Sequence, residues 1–160
     1  MDQIEVRPAG PHDVPGIAAC VCEAYLPYVE RIGRQPGPMV DDYMDVLRHC
    51  HVYVAVQGRY LAGVVVLAKT IDGLCLDSVA VRPALQGMGI GRCLIERAEL
   101  EAMRLGFDSL YVSAHEVLEE ALSACKRLGY DEYERRVDCG AAQIFLRKTL
   151  RRAWQSCALN

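Results

Sequence analysis

The sequence has no long apolar run. Leu61–Ala68, among the longest, is eight residues, far below the ~20 that a membrane-crossing helix needs, so no membrane partner is expected. It has no basic excess either. Lys and Arg number 18 against 21 Asp and Glu, a net charge of −3, and nothing is left to neutralise a phosphate backbone. Nucleic acid is therefore not an expected partner. The opening residues Met1-Asp2-Gln3-Ile4-Glu5 lack the basic-then-apolar order of a secretory signal, and a cytoplasmic protein is expected. No internal repeat, low-complexity block or Cys-x-x-Cys pair occurs. The eight cysteines, Cys20, Cys22, Cys50, Cys75, Cys93, Cys125, Cys139 and Cys157, stand mostly in apolar segments. They read as small buried hydrophobes rather than as disulfides or metal ligands.

What remains is a chain of 160 residues, 52% hydrophobic and 24% charged, in the range of one globular domain. Ile4-Glu5-Val6-Arg7 alternates and ends at Pro8, a short strand. Asp13 can cap a helix with Pro15 in its first turn. Val14, Ile17, Ala18, Val21 and Cys22 would share its buried face. Residues 31–38 hold two Gly and two Pro and read as a loop, with a second helix near Val40–Arg48. Strands follow at His51–Val56 and Leu61–Ala68, hinged at Gln57-Gly58-Arg59, and at Leu74–Val81. A helix over Gly89–Leu105 carries Ile90, Cys93, Leu94, Ala98, Ala102 and Leu105 at helical spacing, with Gly106 as its C-cap. Ser109–Ala114 is a strand, Leu118–Leu128 a helix, and Ala142–Lys148 a last strand. The order predicts an α/β (α+β) fold: a mixed, mostly antiparallel central sheet of six to seven strands with helices on both faces. Its one βαβ crossover runs through residues 74–114.

The strongest chemical signal is Val81-Arg82-Pro83-Ala84-Leu85-Gln86-Gly87-Met88-Gly89-Ile90-Gly91. A buried strand ends, and three alternating glycines lead into a helix. Glycine lets backbone approach a ligand closely. The first amide groups of a helix have no partner within it and sit at its positive end. Together these suit a phosphate. The spacing is neither that of dinucleotide folds nor that of a nucleoside-triphosphate loop. A tight turn with no ligand is the competing reading.

Gln86-Gly87-Met88-Gly89-Ile90-Gly91 resembles the pyrophosphate-binding motif of the GNAT superfamily of N-acetyltransferases. Asp77-Ser78-Val79-Ala80-Val81-Arg82-Pro83 is similar to the strand that leads into it, and Lys126-Arg127-Leu128-Gly129-Tyr130 to the family's helix-end signature. The resemblance implies one such domain over residues 1–150 with a tail at 151–160, and acetyl-CoA as co-substrate without a metal. It implies acetyl transfer to a primary amine of a small molecule or peptide. The cofactor-binding residues would be Val79, Val81, Gln86, Gly87, Met88, Gly89, Ile90, Gly91 and Arg92. The N–H of Val79 would face the thioester oxygen as an oxyanion donor. A side chain at Gly89 would obstruct the phosphate and leave the helix intact. Pairing of two copies through the last strands is also a family habit.

Two positions depart from the family pattern. Cys125 stands where a proton-donating tyrosine is usual, and Leu118 where an asparagine often stands. Cys125 can itself be the acid, Tyr111 or Tyr130 can substitute, or the chain binds coenzyme A as a sensor or interaction module with little turnover. Asp77, two residues from Val79 on one strand, is the candidate base. Tyr25, Tyr28, Arg31 and Tyr43, with Arg34 nearby and Asp41, Asp42 and Asp45 close behind, form the candidate acceptor site. His49-Cys50-His51 would place two imidazoles on one face of a strand, yet no partner pair completes a zinc site.

Overall fold

The computed structural model describes residues 3–138 and 140–150. Cys139, Cys157 and the expected tail at 151–160 lie outside the described residues. The elements run β1 (Ile4–Pro8), α1 (Val14–Tyr25), α2 (Val29–Ile32), α3 (Gly37–Val40), α4 (Tyr43–His49), β2 (His51–Gln57), β3 (Tyr60–Thr70), β4 (Gly73–Val81), α5 (Ile90–Arg104), β5 (Ser109–His115), α6 (Glu119–Arg127), β6 (Asp131–Asp138) and β7 (Ala141–Thr149). The seven strands form one mixed sheet in the order β1-β2-β3-β4-β5-β7-β6. β4 and β5 are parallel, joined through α5. The pairs β1/β2, β2/β3, β5/β7 and β6/β7 are antiparallel. The expected fold class is the observed one, with seven strands.

The chain forms two compact units. One comprises residues up to Ala68 with Asp77–Ala98, and the other Lys69–Leu76 with the residues from Glu99 on. In the first unit, β2 is buried from Val52 through Val56 and β3 from Leu61 through Leu67. Both faces of these strands are covered. Val52, Val54, Val56, Val64 and Val66 pack with Ile17, Cys20, Val21 and Ala24 of α1. On the opposite face, the Arg97 guanidinium of α5 lies 4.9 Å from the Tyr53 ring centroid, and Leu94 and Ile90 press on Gly63. Each fully buried Val or Leu contributes ~1.5–3 kcal/mol, so this double-sided run is the main apolar ballast of the unit.

Several local expectations are corrected. The buried face of α1 is Ile17, Cys20, Val21 and Ala24, while Ala18 and Cys22 are exposed. Both choices fit helical spacing, and only packing on β2 and β3 sets the rotation. Asp13 does stand at the start of α1, but its side chain does not cap it. It accepts two hydrogen bonds from Arg7, at 2.8 and 2.9 Å, and one from the Gly10 N–H at 2.8 Å. Residues 31–38 are not wholly irregular, since they contain the ends of two helical turns, α2 and α3. The expected helix 40–48 divides into α3 and α4, with Asp42 capping α4 through the N–H groups of Met44 and Asp45. On α5, Ile90, Leu94, Ala98 and Ala102 are buried as expected, but Cys93 is exposed. Of the described cysteines, Cys20 and Cys75 are buried, Cys50 and Cys125 half-buried, and Cys22 and Cys93 exposed. Apolar neighbours in sequence do not fix which side a helix turns inward. His49 closes α4 and His51 opens β2, so the two do not share a strand. Among the described residues no group of three or more His, Cys, Asp or Glu can hold a metal ion, and no helix is long and apolar enough to cross a membrane.

The second unit is built on β7, paired with β5 on one side and β6 on the other. Its core encloses a charge. Glu99, 2% exposed, accepts hydrogen bonds from the Tyr130 hydroxyl and the Lys148 ammonium, each at 2.9 Å. A buried carboxylate is tolerated only with such partners.

Gly63 marks the tightest backbone approach. A Cβ there would stand 2.9 Å from Leu94 Cδ1 and 3.0 Å from the Ala80 carbonyl oxygen. Gly63→Ala should lower unfolding free energy by ~1–3 kcal/mol, as overpacking does, read as a lower urea midpoint at unchanged slope. An unshifted midpoint would show that α5 gives way freely.

Candidate active site

The site grows from the point where β4 ends. Arg82 donates its backbone N–H to the Ala62 carbonyl at 2.9 Å, and its own carbonyl accepts from the Leu85 N–H. Pro83–Leu85 then makes a single tight turn. Gln86 returns its side-chain amide to the Val81 carbonyl at 3.1 Å. Gly87 and Gly89 both take left-handed φ values, +81° and +85°, which side chains adopt only under strain. Buried Ile90 opens α5, packed against Gly63. The first bond inside the helix runs from the Cys93 N–H to the Gly89 carbonyl. The amides of Ile90, Gly91 and Arg92 therefore precede the intrahelical ladder.

The space beside this turn is open. A Cβ on Gly87 or Gly89 would meet nothing within 4 Å, and one on Gly91 only Val81 Cγ2 at 3.7 Å. The glycines are thus not required by crowding from the protein itself. They leave a cradle that side chains would fill, with amide donors at its floor, and its chemistry fits a pyrophosphate. Met88 is exposed, and exposed Arg92 pairs with Glu96 at 3.0 Å, a weak surface contact that an incoming anion can replace. Gly89 precedes the helix and is left-handed, so the expectation that a substitution there spares the fold is corrected. Gly91 is the position where a side chain tests the cradle without backbone strain.

Upstream on β4, the Val79 carbonyl accepts the Tyr25 hydroxyl at 3.4 Å. Tyr25 and Tyr28 meet edge to face with centroids 6.3 Å apart, and Arg31 lies 5.4 Å over the Tyr28 ring. Tyr43 is buried and donates to the Pro38 carbonyl at 2.7 Å. The structure therefore brings Tyr25, Tyr28 and Arg31 together. Tyr43 joins them electrostatically, since burial, then Asp41, Tyr25 and Asp77, push its phenol well up. Burial and then Asp77 do the same to Tyr25.

Asp77 is an exposed residue of β4, yet desolvation of its carboxyl first and Asp41 second raise it above the usual range. Burial raises Asp41 too. Of the three acidic residues beside the candidate acceptor tyrosines, only Asp41 acts on Asp77 in this way. Asp42 is occupied as a cap, and Asp45 lies 3.4 Å from His49. A carboxylate of raised pKa beside a second one is a better proton acceptor and an anionic seat for an ammonium group. Residue order alone did not single out Asp41, and no local motif marks it.

In the second unit, the two substitute phenols are both engaged. Tyr111 shares a 2.5 Å hydrogen bond with the Thr70 hydroxyl. Tyr130 is fully buried, and burial together with its bond to Glu99 drives its pKa far up. Neither is poised to release a proton. Cys125 lies on α6, half-buried, its thiol pushed up by burial and so held protonated. Leu118 sits just ahead of α6 rather than on it.

Comparison with known proteins fits this geometry. Residues 48–132, just over half the chain, match the model of the acetyltransferase (GNAT) domain. No curated protein matches the sequence. Among solved structures, the ribosomal-protein-S18-alanine N-acetyltransferase of Escherichia coli superposes with a TM-score of 0.76 at 16% identity, covering 92% of this chain and 94% of that one. The PaiA N-acetyltransferase of Thermoplasma acidophilum, solved with coenzyme A, gives 0.78 at 14%, covering 92% and 99%. YncA of Salmonella typhimurium, solved with acetyl-CoA, gives 0.69 at 20%, covering 92% and 94%. At such identities the likeness establishes the fold.

The raised carboxyl of Asp77 carries a signed pH dependence. Folded Asp77 holds its proton to higher pH than the unfolded chain does, whose aspartates titrate near ~3.9. Stability is therefore lost as pH rises from there through the folded value. Asp77→Asn should raise the melting temperature at pH 7 and leave it unchanged at pH 3. A variant that melts lower at pH 7 would contradict the crowding of this carboxylate.

Proposed function

Because the chain belongs to the GNAT acetyltransferase family, we propose that it moves an acetyl group from acetyl-CoA directly to a primary amine of a small molecule or peptide. The observation that carries this reading is the glycine cradle at the start of α5, open on its outer side and floored by the amides of Ile90, Gly91 and Arg92. Gln86, Gly87, Met88 and Gly89 complete the turn that holds the pyrophosphate, and the backbone of Val79 and Val81 pairs with the amides of the pantetheine arm. Acetyl-CoA supplies an activated thioester.

The protein's own residues then do three things. Asp77, its basicity raised by burial and Asp41, takes a proton from the acceptor ammonium, directly or through water, and leaves a nucleophilic amine. The Val79 N–H donates to the thioester oxygen as the amine bonds to the acyl carbon, a contact worth ~3 kcal/mol in such sites. The departing sulfur takes up a proton as the carbon–sulfur bond breaks, a role we assign to Cys125, a protonated thiol, from its place in the helix-end pattern where the family's tyrosine is usual. Tyr25, Tyr28, Arg31 and Tyr43 form the acceptor side. Two carboxylates facing aromatic rings favour a cationic amine.

Titration calorimetry with acetyl-CoA tests the binding half. Gly91→Ala should raise the dissociation constant about tenfold, ~1.4 kcal/mol, and melt no lower than wild type, since Ala is the better helix former. Equal affinity would mean that the glycines serve the turn alone. Release of free thiol with a panel of amines tests the transfer half. Binding without release across the panel would favour a coenzyme-A-binding module instead, a reading that the engaged hydroxyls of Tyr111 and Tyr130 keep in view.

A further inference from the structure

Arg82 is a buried cation just ahead of the cradle, 9% exposed. Its Nε–H donates to the Leu61 carbonyl at 2.6 Å, its Nη1 to Glu23 Oε1 of α1 at 2.8 Å, and its guanidinium lies 4.8 Å over the Tyr60 ring. Burying a charge is costly, and an apolar side chain of similar size would often serve stability as well. The arginine instead fixes geometry. Its backbone ends the β4 contact with β3 through Ala62 and starts the turn that leads to Gly87. Its side chain meanwhile reaches α1. Two residues beyond Glu23, the Tyr25 hydroxyl makes a long hydrogen bond to the Val79 carbonyl, 3.4 Å. Helix α1 therefore holds the end of β4 at two points, Val79 and Arg82, which bracket the segment proposed to pair with the pantetheine arm.

We propose that Arg82, through its ion pair with Glu23, is a positioning residue that pre-sets the turn for acyl-CoA and registers it to the helix bearing the acceptor-side tyrosine. This rests on the acetyl-CoA reading above. The physical cause is preorganisation. A turn already held in its binding geometry loses less freedom when the anion arrives, and that saving appears as affinity. Without the Glu23 carboxylate, the guanidinium is left largely desolvated with no counter-charge, held by the Leu61 carbonyl and the Tyr60 ring alone. It gains by turning outward to water, which also gives up the Leu61 bond and frees the turn. Glu23 is half exposed, so its replacement leaves no cavity.

The test compares Glu23→Ala and Glu23→Asp with wild type, by calorimetry with acetyl-CoA and by thermal melting. Glu23→Ala should weaken binding about tenfold, and Glu23→Asp, which keeps the charge, should restore it to within about threefold of wild type. Both should melt close to wild type. If Glu23→Ala binds acetyl-CoA as wild type does, the pair is structural only and the inference fails. If Glu23→Asp binds as weakly as Glu23→Ala, charge is not what positions the turn, and the inference fails again. If wild type itself does not bind acetyl-CoA, the functional reading falls first, and with it this one.

Discussion

The first unit depends on a single demand: β4, which is buried on one face near its end, must lead through a short turn into a helix without covering that helix's first amides. Three features meet it. Left-handed glycines at 87 and 89 bend the chain, buried Ile90 pins the start of α5 to the sheet beside Gly63, and Arg82 fixes the strand end. The same packing that pins the helix leaves its N-terminal turn outward and open. An ordinary strand-to-helix connection would place side chains there. Here their absence leaves donors and a favourable dipole facing a space that an anion can enter.

The electrostatics around β4 divide along its length. Toward its end, the open start of α5 presents positive character. Earlier, burial and then Asp41 raise the proton affinity of Asp77, and burial raises that of Asp41, among phenols that burial keeps neutral. An anionic ligand at one end and a cationic one at the other is the arrangement the proposed reaction requires. The cost is stability at neutral pH, since two crowded carboxylates gain nothing from folding. Sites that retain such destabilising pairs are commonly functional, because their removal would otherwise be favoured.

Much of this was legible in the sequence, and for identifiable reasons. The hairpin of β2 and β3 was marked by dense valines on either side of Gly58, and the cradle by glycines at alternating positions, both local signals. The rotation of α1 was not, because Ala18 and Cys22 fit the spacing as well as Cys20 and Ala24 do. β6 was not placed, because Asp131–Asp138 is mostly charged and gives no apolar alternation. The partners that shape the site are long-range. Arg82 meets Glu23 across 59 residues of chain, and Asp41 and Asp77 stand on a loop and a strand with no shared pattern. Sequence spacing reports what a segment is, and only packing reports what it faces.

The central claim is that residues 79–92 hold acyl-CoA through their backbone. Amide hydrogen exchange on the intact wild-type protein tests it most directly, with and without saturating acetyl-CoA. The account predicts that added protection concentrates at Val79, Val81 and the amides of Gly87 through Arg92, with the solvent-facing strand β6 unchanged. Saturable binding of acetyl-CoA that leaves those amides exchanging at their free rate would contradict it.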